Sequence, residues 1–167
     1  MGKNASQRRS SEPLTYKEGL TRAAALCSRQ EQCSGVIQEK LLRWGLGEED
    51  AVKVLTKLRE EKYIDDKRYS RFFTRDKLRF NGWGPRKITH TLRQKHMPGN
   101  IIEEALAEID EHSWQEKCTE LVLAKAKGLK EKDAFSRKGK LFRFAAGRGF
   151  DPEQIYRSLE ALERKAE

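Results

Sequence analysis

The chain has 167 residues, of which 37% are hydrophobic and 37% are charged. Its 35 Lys and Arg residues outnumber 26 Asp and Glu residues, which gives a formal net charge of +9. So much charge argues against a doubly covered parallel sheet, and the length allows one domain or a few small modules. No segment has the roughly 18 apolar residues of a membrane span or the apolar core of a secretory signal. We therefore expect a soluble, intracellular and mostly helical protein.

Residues 1–15 are rich in Ser, Asn, Lys and Arg and have little to bury, so they predict a disordered polar tail. Helical patterns fill the chain after this tail. Single helices are predicted at 16–28, 66–80 and 114–127, and a pair of helices follows each of them. Asp65 is a natural N-cap for the second of these helices, and Asp151 and Pro152 begin the last helix of the chain.

A repeat of about fifty residues organises these helices. When Gly45, His96 and Gly149 are aligned, apolar residues recur 8 and 4 positions before them and 1, 6, 10 and 13 positions after them. This spacing predicts a helix, a tight turn and a second helix in each unit. The predicted fold is all-α, with three tandem three-helix (helix-turn-helix-like) repeats at residues 16–64, 65–112 and 113–167 forming an elongated, curved molecule.

The aligned residues also predict how the turns form. Gly45 and Gly149 suit the left-handed conformation that ends many helices, with an apolar residue directly after it. His96 takes the place of glycine in the middle repeat. We expect a different cap there, with Pro98 and Gly99 just downstream.

Charge changes sign along the chain. Residues 67–96 contain ten Lys and Arg and one acid, and residues 123–149 contain nine Lys and Arg and two acids. The intervening residues 97–122 contain seven acids and one lysine. This pattern suits a protein that lies along an extended charged partner.

The basic residues of the second and third repeats are the candidate binding residues. The helix at 66–80 carries four arginines within roughly 80° of one another around its axis, namely Arg68, Arg71, Arg75 and Arg79. Tyr69, Phe73 and Phe80 point to another, apolar face of that helix. A solvated surface usually mixes charge signs, so the near absence of acids favours binding of phosphates or of an acidic protein surface. His90 lies between Arg86 and Arg93 on the next helix. The candidates are Arg68, Arg71, Arg75, Arg79, Arg86, Lys87, Arg93, Lys138, Lys140 and Arg143.

Other residue patterns point away from catalysis. Asp65 and Asp66 would need a third ligand to hold a metal, and helix capping explains both. Three cysteines without Cys-x-x-Cys spacing indicate neither a disulfide framework nor a zinc site. Trp83 either stacks on a base or docks into a partner, or else it closes the hydrophobic core. We predict no catalytic residue, no cofactor and no metal.

The middle repeat resembles the RecX family of bacterial RecA regulators. The resemblance covers roughly residues 16–162 and is strongest between 58 and 106. Lys62 and His96 occupy positions where that family commonly has glycine. The residues that carry the resemblance are Leu58, Tyr63, Ile64, Asp65, Asp66, Arg68, Tyr69, Ser70, Phe72, Phe73, Gly84, Pro85, Ile88 and Leu92.

The resemblance implies a cytoplasmic, non-enzymatic protein that binds RecA and the RecA–DNA filament, and we expect it to be a monomer. Such a protein would lie in the filament groove, bridge protomers and limit filament extension, strand exchange and co-protease activity in recombination, DNA repair and the SOS response. The acidic residues 97–122 would then meet a basic RecA surface. The alternative is a stand-alone nucleic-acid-binding helical repeat protein that contacts single- or double-stranded DNA directly.

Overall fold

A computed structural model gives the structure of the chain and describes residues 13–131 and 133–165. Within these residues the fold is all-α, with nine helices and no strand, as predicted. Residues 1–12 of the predicted N-terminal tail lie outside the described residues. The helices are α1 (Tyr16–Arg29), α2 (Ser34–Arg43), α3 (Glu48–Glu60), α4 (Asp66–Asn81), α5 (Pro85–Gln94), α6 (Gly99–Ala107), α7 (Glu111–Lys127), α8 (Ala134–Gly147) and α9 (Pro152–Arg164).

The single helices predicted ahead of each helical pair are confirmed as α1, α4 and α7. Of these, α7 begins three residues earlier than predicted, at Glu111. It does so because the Asp110 side chain accepts a hydrogen bond from the Ser113 backbone N–H at 2.7 Å, which caps the helix. The division of the chain into repeats at 64/65 and 112/113 stays a prediction.

The chain forms two compact units that divide between Asp66 and Lys67. In the first unit α1, α2 and α3 pack around a core that contains Ile37, Leu41 and Leu58. In the second unit α7 packs on α8 and α9, and α5 packs on α6. The aligned apolar positions are confirmed as core positions, because all of them are buried except Leu106, Ile109 and Leu162, which are partly buried.

The three aligned turns share one hydrogen-bonding pattern. Gly45 N donates to Leu42 O at 2.9 Å, and Leu46 N donates to Leu41 O at 3.1 Å. The corresponding pair of bonds closes α8 at Gly149, and φ is +89° at Gly45 and +91° at Gly149. These turns are Schellman caps, as the sequence predicts for the glycines.

The expectation of a different cap at His96 is wrong. His96 N donates to Arg93 O at 2.9 Å and Met97 N donates to Leu92 O at 3.1 Å, which is the same cap. The φ of His96 is +58°, and Lys62 at the end of α3 has a φ of +61°. The buried Leu92 and Met97 determine the turn, and His96 adopts a conformation that disfavours a Cβ.

Replacing His96 with glycine should therefore stabilise the second unit. The left-handed conformation costs an L-residue about 1–2 kcal/mol, and the greater freedom of glycine in the unfolded chain offsets about 0.5–1 kcal/mol of the gain. We expect H96G to raise the free energy of unfolding by about 0.5–1 kcal/mol in urea titrations. K95G, one residue earlier at a φ of −89°, is the control and should lower it. A lower free energy of unfolding for H96G would contradict the conclusion that the backbone of His96 is strained.

Gly84 and Gly149 bring the start of α5 against the turn between α8 and α9. Gly84 N donates to Arg148 O at 2.8 Å, and Arg86 N donates to Gly149 O at 3.0 Å. A Cβ on Gly84 would lie 2.4 Å from the Gly149 carbonyl, and one on Gly149 would lie 2.4 Å from the Lys87 backbone N. The N–H groups of the N-cap residue Gly84 and of Arg86 in the first turn of α5 thus pair with two carbonyls just beyond the end of α8. Groups at these helix ends have no partner within their own helix. This contact joins the second repeat to the third.

Candidate functional site

Two of the predicted arginines on α4 pair with Glu108, the residue that directly follows α6. Arg71 Nε pairs with Glu108 Oε1, and Arg75 Nη2 lies 2.8 Å from Glu108 Oε2. One turn away, Lys67 Nζ lies 2.9 Å from Glu104 Oε2. Two acids of the acidic segment, residues 97–122, therefore pair with basic side chains of α4 within the second unit. We call the row formed by Arg68, Arg71, Arg75 and Arg79 on α4 the basic stripe. The stripe carries less uncompensated charge than the count over residues 67–96 indicates.

The exposed face of α4 combines basic and aromatic side chains. Phe72 lies four residues after Arg68 and three before Arg75, and it is 53% exposed. The Arg79 guanidinium lies 5.2 Å from the centre of the Phe80 ring, and Phe80 is 72% exposed. The prediction that Phe80 packs on the apolar face is therefore wrong. Phe80 is the penultimate residue of α4. It lies past the helical turns that carry Tyr69 and Phe73, the other two aromatic residues predicted on that face.

The apolar side of α4 forms an aromatic cluster with the loop that follows. The rings of Tyr69 and Phe73 stack at 5.8 Å, and Trp83 meets Phe73 edge-on at 6.4 Å. The Lys77 and Lys87 ammonium groups lie 5.0 Å and 4.7 Å from the centre of the Trp83 ring. Of the two interpretations of Trp83, the geometry supports the one in which it closes the packing against Phe73.

Two of the predicted basic residues of α5, Arg86 and Arg93, line one shallow groove together with His90. These three residues border an open cavity of about 420 Å³. Their i, i+4, i+7 spacing places them on one face of the helix. Asp151 at the start of α9 lies on the other side, 2.7 Å from Arg86 Nε. Lys87 points instead toward Trp83. The groove is thus basic along α5 and carries one acid where α9 begins.

The candidates on α8 lie at the surface of the third repeat. Lys138 Nζ is 3.1 Å from Glu163 Oε1, and Lys140 pairs with Glu131. Arg143 borders a second cavity, of about 320 Å³. These three residues are all exposed, but they lie on a different helix from the α4 and α5 candidates.

The residues that resemble the RecX family have mainly structural roles. Ile64 is 2% exposed and belongs to the core of the first unit, whereas Tyr63 is 38% exposed. Asp66 accepts a hydrogen bond from the Ser34 backbone N–H at 2.8 Å and another from the Ser34 hydroxyl. Asp66 therefore caps the first turn of α2, where Cys33 makes no side-chain cap. Position 65 directly precedes α4, and Pro85 is the first residue of α5 after the close contact at Gly84.

The described residues contain no group of three or more His, Cys, Asp or Glu side chains that could hold a metal ion. The Asp66 carboxylate, half of the acid pair considered for metal binding, is engaged with Ser34. Burial raises the pKa of the Cys118 thiol, with a smaller opposing effect from its hydrogen bond to Ser158. Partial burial, aided by Glu31, also raises the pKa of Cys27. Both thiols are thereby kept in their less reactive protonated form.

Two features of this surface were not predicted from the sequence. The first is Glu108, whose position opposite Arg71 and Arg75 depends on where the C-terminus of α6 lies relative to α4. The second is a set of exposed aromatic side chains on α8 and α9, including Phe135 and Tyr156. A signal for the second was present, since Phe135 and Phe142 lie seven residues apart on a basic helix.

Comparison with known proteins supports the fold and the relationship. Sequence models of the second and third RecX three-helix domains match residues 65–106 and 113–159. A regulatory protein RecX of Prosthecochloris aestuarii is 34% identical over 146 residues, which span 87% of this chain and 94% of the relative. A regulatory protein RecX of Vibrio parahaemolyticus is 32% identical over 92% of this chain and 95% of its own length.

Among solved structures, the crystal structure of RecX from Lactobacillus salivarius superposes with a TM-score of 0.81. The match covers 89% of this chain and 96% of that one at 22% identity, so it supports the fold. No helix in the described residues is both long enough and apolar enough to cross a membrane. The matched domains and the identity along most of the chain show that it belongs to the RecX family of regulatory proteins.

Proposed function

We propose that the chain modulates RecA by binding RecA–DNA filaments. It would lie in the filament groove, contact more than one protomer and limit filament extension, strand exchange and co-protease activity. It would act by binding, without catalysis, as a cytoplasmic monomer in recombination, DNA repair and the SOS response. Membership of a family of regulatory proteins is the observation that carries this proposal.

The basic face of α4 and α5 is the surface we propose for the filament. Arg75 and Arg79 are exposed on α4, and Arg86, His90 and Arg93 line the groove on α5. Arginine suits this role because its planar fork pairs equally well with phosphates and carboxylates. The face can thus contact DNA phosphates or an acidic protein surface.

The charge pairs on this face limit its affinity for any single site. Glu108 holds Arg71 and Arg75, so a filament phosphate or carboxylate must compete with an internal carboxylate. Contacts that are individually weak still give tight binding when several protomers are engaged at once, because each later contact is intramolecular. A filament is then bound more tightly than isolated RecA or short DNA.

RecA assays test this proposal. At an equimolar or higher ratio of the chain to RecA, we expect slower strand exchange and slower DNA-dependent ATP hydrolysis by RecA. Unchanged rates of both reactions would contradict the proposal. Tight, salt-sensitive binding to bare DNA together with no binding to RecA would instead favour the stand-alone nucleic-acid-binding protein.

A further inference from the structure

Helix α8 contains a glycine that its own structure does not require. Gly139 lies in the sixth position of Ala134–Gly147, where glycine weakens a helix relative to alanine. A Cβ there would contact only Arg143 Nη1, at an ordinary 3.5 Å. Gly84 and Gly149 are different, because backbone atoms leave no space for a Cβ at either position. The Arg143 guanidinium therefore lies over one part of Gly139, and the glycine also lines an open cavity at the surface.

This space is the floor of a groove between two aromatic side chains. Phe135 lies four residues before Gly139 and Phe142 three residues after it, so all three border one face of α8. Tyr156 of α9 completes the wall, with its ring centre 5.3 Å from that of Phe142. The cavity has a volume of about 320 Å³, and its buried end is closed by Leu159.

The aromatic side chains remain exposed although they are large and apolar. Phe135 is 87% exposed and Tyr156 is 53% exposed. Exposed aromatic residues grouped around one cavity are typical of binding surfaces, whereas single ones are ordinary.

Positive charge borders the groove along its length. Lys138 and Arg143 line it together with the aromatic residues, and α8 contains no acid among its fourteen residues. The Lys138 ammonium pairs with the Glu163 carboxylate of α9 at 3.1 Å. Among the residues of α8 that line the groove, aromatic rings and cations alternate in the order Phe135, Lys138, Phe142 and Arg143.

We propose that this groove binds a base of single-stranded nucleic acid. The base would stack between Phe135 and Phe142 above Gly139, and the adjacent phosphates would contact Lys138 and Arg143. Stacking on aromatic side chains beside cations is the usual way in which proteins hold single strands without reading their sequence. The absence of acids from α8 favours an anionic strand as the occupant, because its phosphates carry negative charge only.

This inference goes beyond the proposed function, whose surface lies on α4 and α5, and it concerns Lys138 and Arg143, which the sequence predicts as binding residues. It requires no RecA, so it is tested with the full chain and free oligonucleotides. Failure here would leave the RecA assays unaffected, and failure of the RecA assays would leave this site standing.

Fluorescence anisotropy with labelled oligothymidylate, and with an abasic strand of the same length, is the direct experiment. G139A should bind oligothymidylate about tenfold more weakly than the natural chain, because its methyl group fills the space for the base. Its melting temperature should not fall, since alanine favours the helix. F135A should weaken binding to a similar extent, and the abasic strand should bind weakly to every variant.

The matched control is G147A, at the last residue of the same helix, where a Cβ would meet nothing within 4 Å. It should bind oligothymidylate as the natural chain does. Equal affinity of G139A and G147A for oligothymidylate would overturn the proposal. So would equal affinity of the natural chain for the abasic strand, or tighter binding of a glutamate-rich peptide that contains tryptophan.

Discussion

Replacing Gly149 with alanine is expected to lower the free energy of unfolding of the second unit by about 2–5 kcal/mol. About 1–2 kcal/mol comes from placing an L-residue at a φ of +91°. A further 1–3 kcal/mol or so comes from overpacking, because the new Cβ would lie 2.4 Å from the backbone of Lys87. The variant must then either separate α5 from the α8–α9 turn or distort both. Urea titrations followed by circular dichroism measure the loss.

Gly45 provides a matched control for this substitution. Its φ is +89°, but a Cβ there would meet nothing within 4 Å. G45A should therefore lose only the conformational part, about 1–2 kcal/mol. The difference between the two variants measures the contact between the second and third repeats. Equal losses for G149A and G45A would mean that this contact contributes no stability.

The second large effect concerns the charge pairs around Glu108. Changing Arg71 and Arg75 together to glutamine should raise the concentration needed for half-inhibition of RecA strand exchange about tenfold. This corresponds to two lost charge contacts of about 0.7 kcal/mol each, within the range measured for exposed pairs. E108Q should have the opposite effect and lower that concentration, because it frees both arginines. Strand-exchange assays over a range of protein concentrations measure both changes.

E116Q is the matched control for the loss of one negative charge. Glu116 lies in the same acidic segment and is exposed on α7, but it makes none of the contacts of Glu108 with α4. Inhibition by E116Q should be close to that of the natural chain, and circular dichroism should show the same helicity for all variants. Equal inhibition by E108Q and the arginine double variant would remove this part of α4 from the binding surface.

The fold was predictable because its local and periodic signals agree. The apolar positions around Gly45 and Gly149 specify two helical faces, and each glycine supplies the left-handed residue that the turn needs. His96 follows the same geometry without a glycine, because the buried residues on both sides of the turn require it. The spacing of the buried residues therefore predicts the turn at position 96 better than the preference of that position for glycine.

The candidate site was less predictable because it depends on contacts between helices. Arg71 and Arg75 were identified from their spacing on α4, but their partner Glu108 lies more than thirty residues away in sequence. The role of Asp66 was likewise assigned to its own helix, whereas its side chain caps α2 through Ser34. The periodicity of a sequence shows which face of a helix is polar, and tertiary packing decides what that face contacts.

An electron-microscopy map of the chain bound to a RecA–DNA filament tests the central claim most directly. The proposed function predicts density for the chain along the helical groove, in contact with more than one RecA protomer. The basic residues of α4 and α5 should face the filament, with Arg75, Arg86 and Arg93 at the contact. A filament that carries no such density in its groove, or that binds the chain only at its end, would contradict the account.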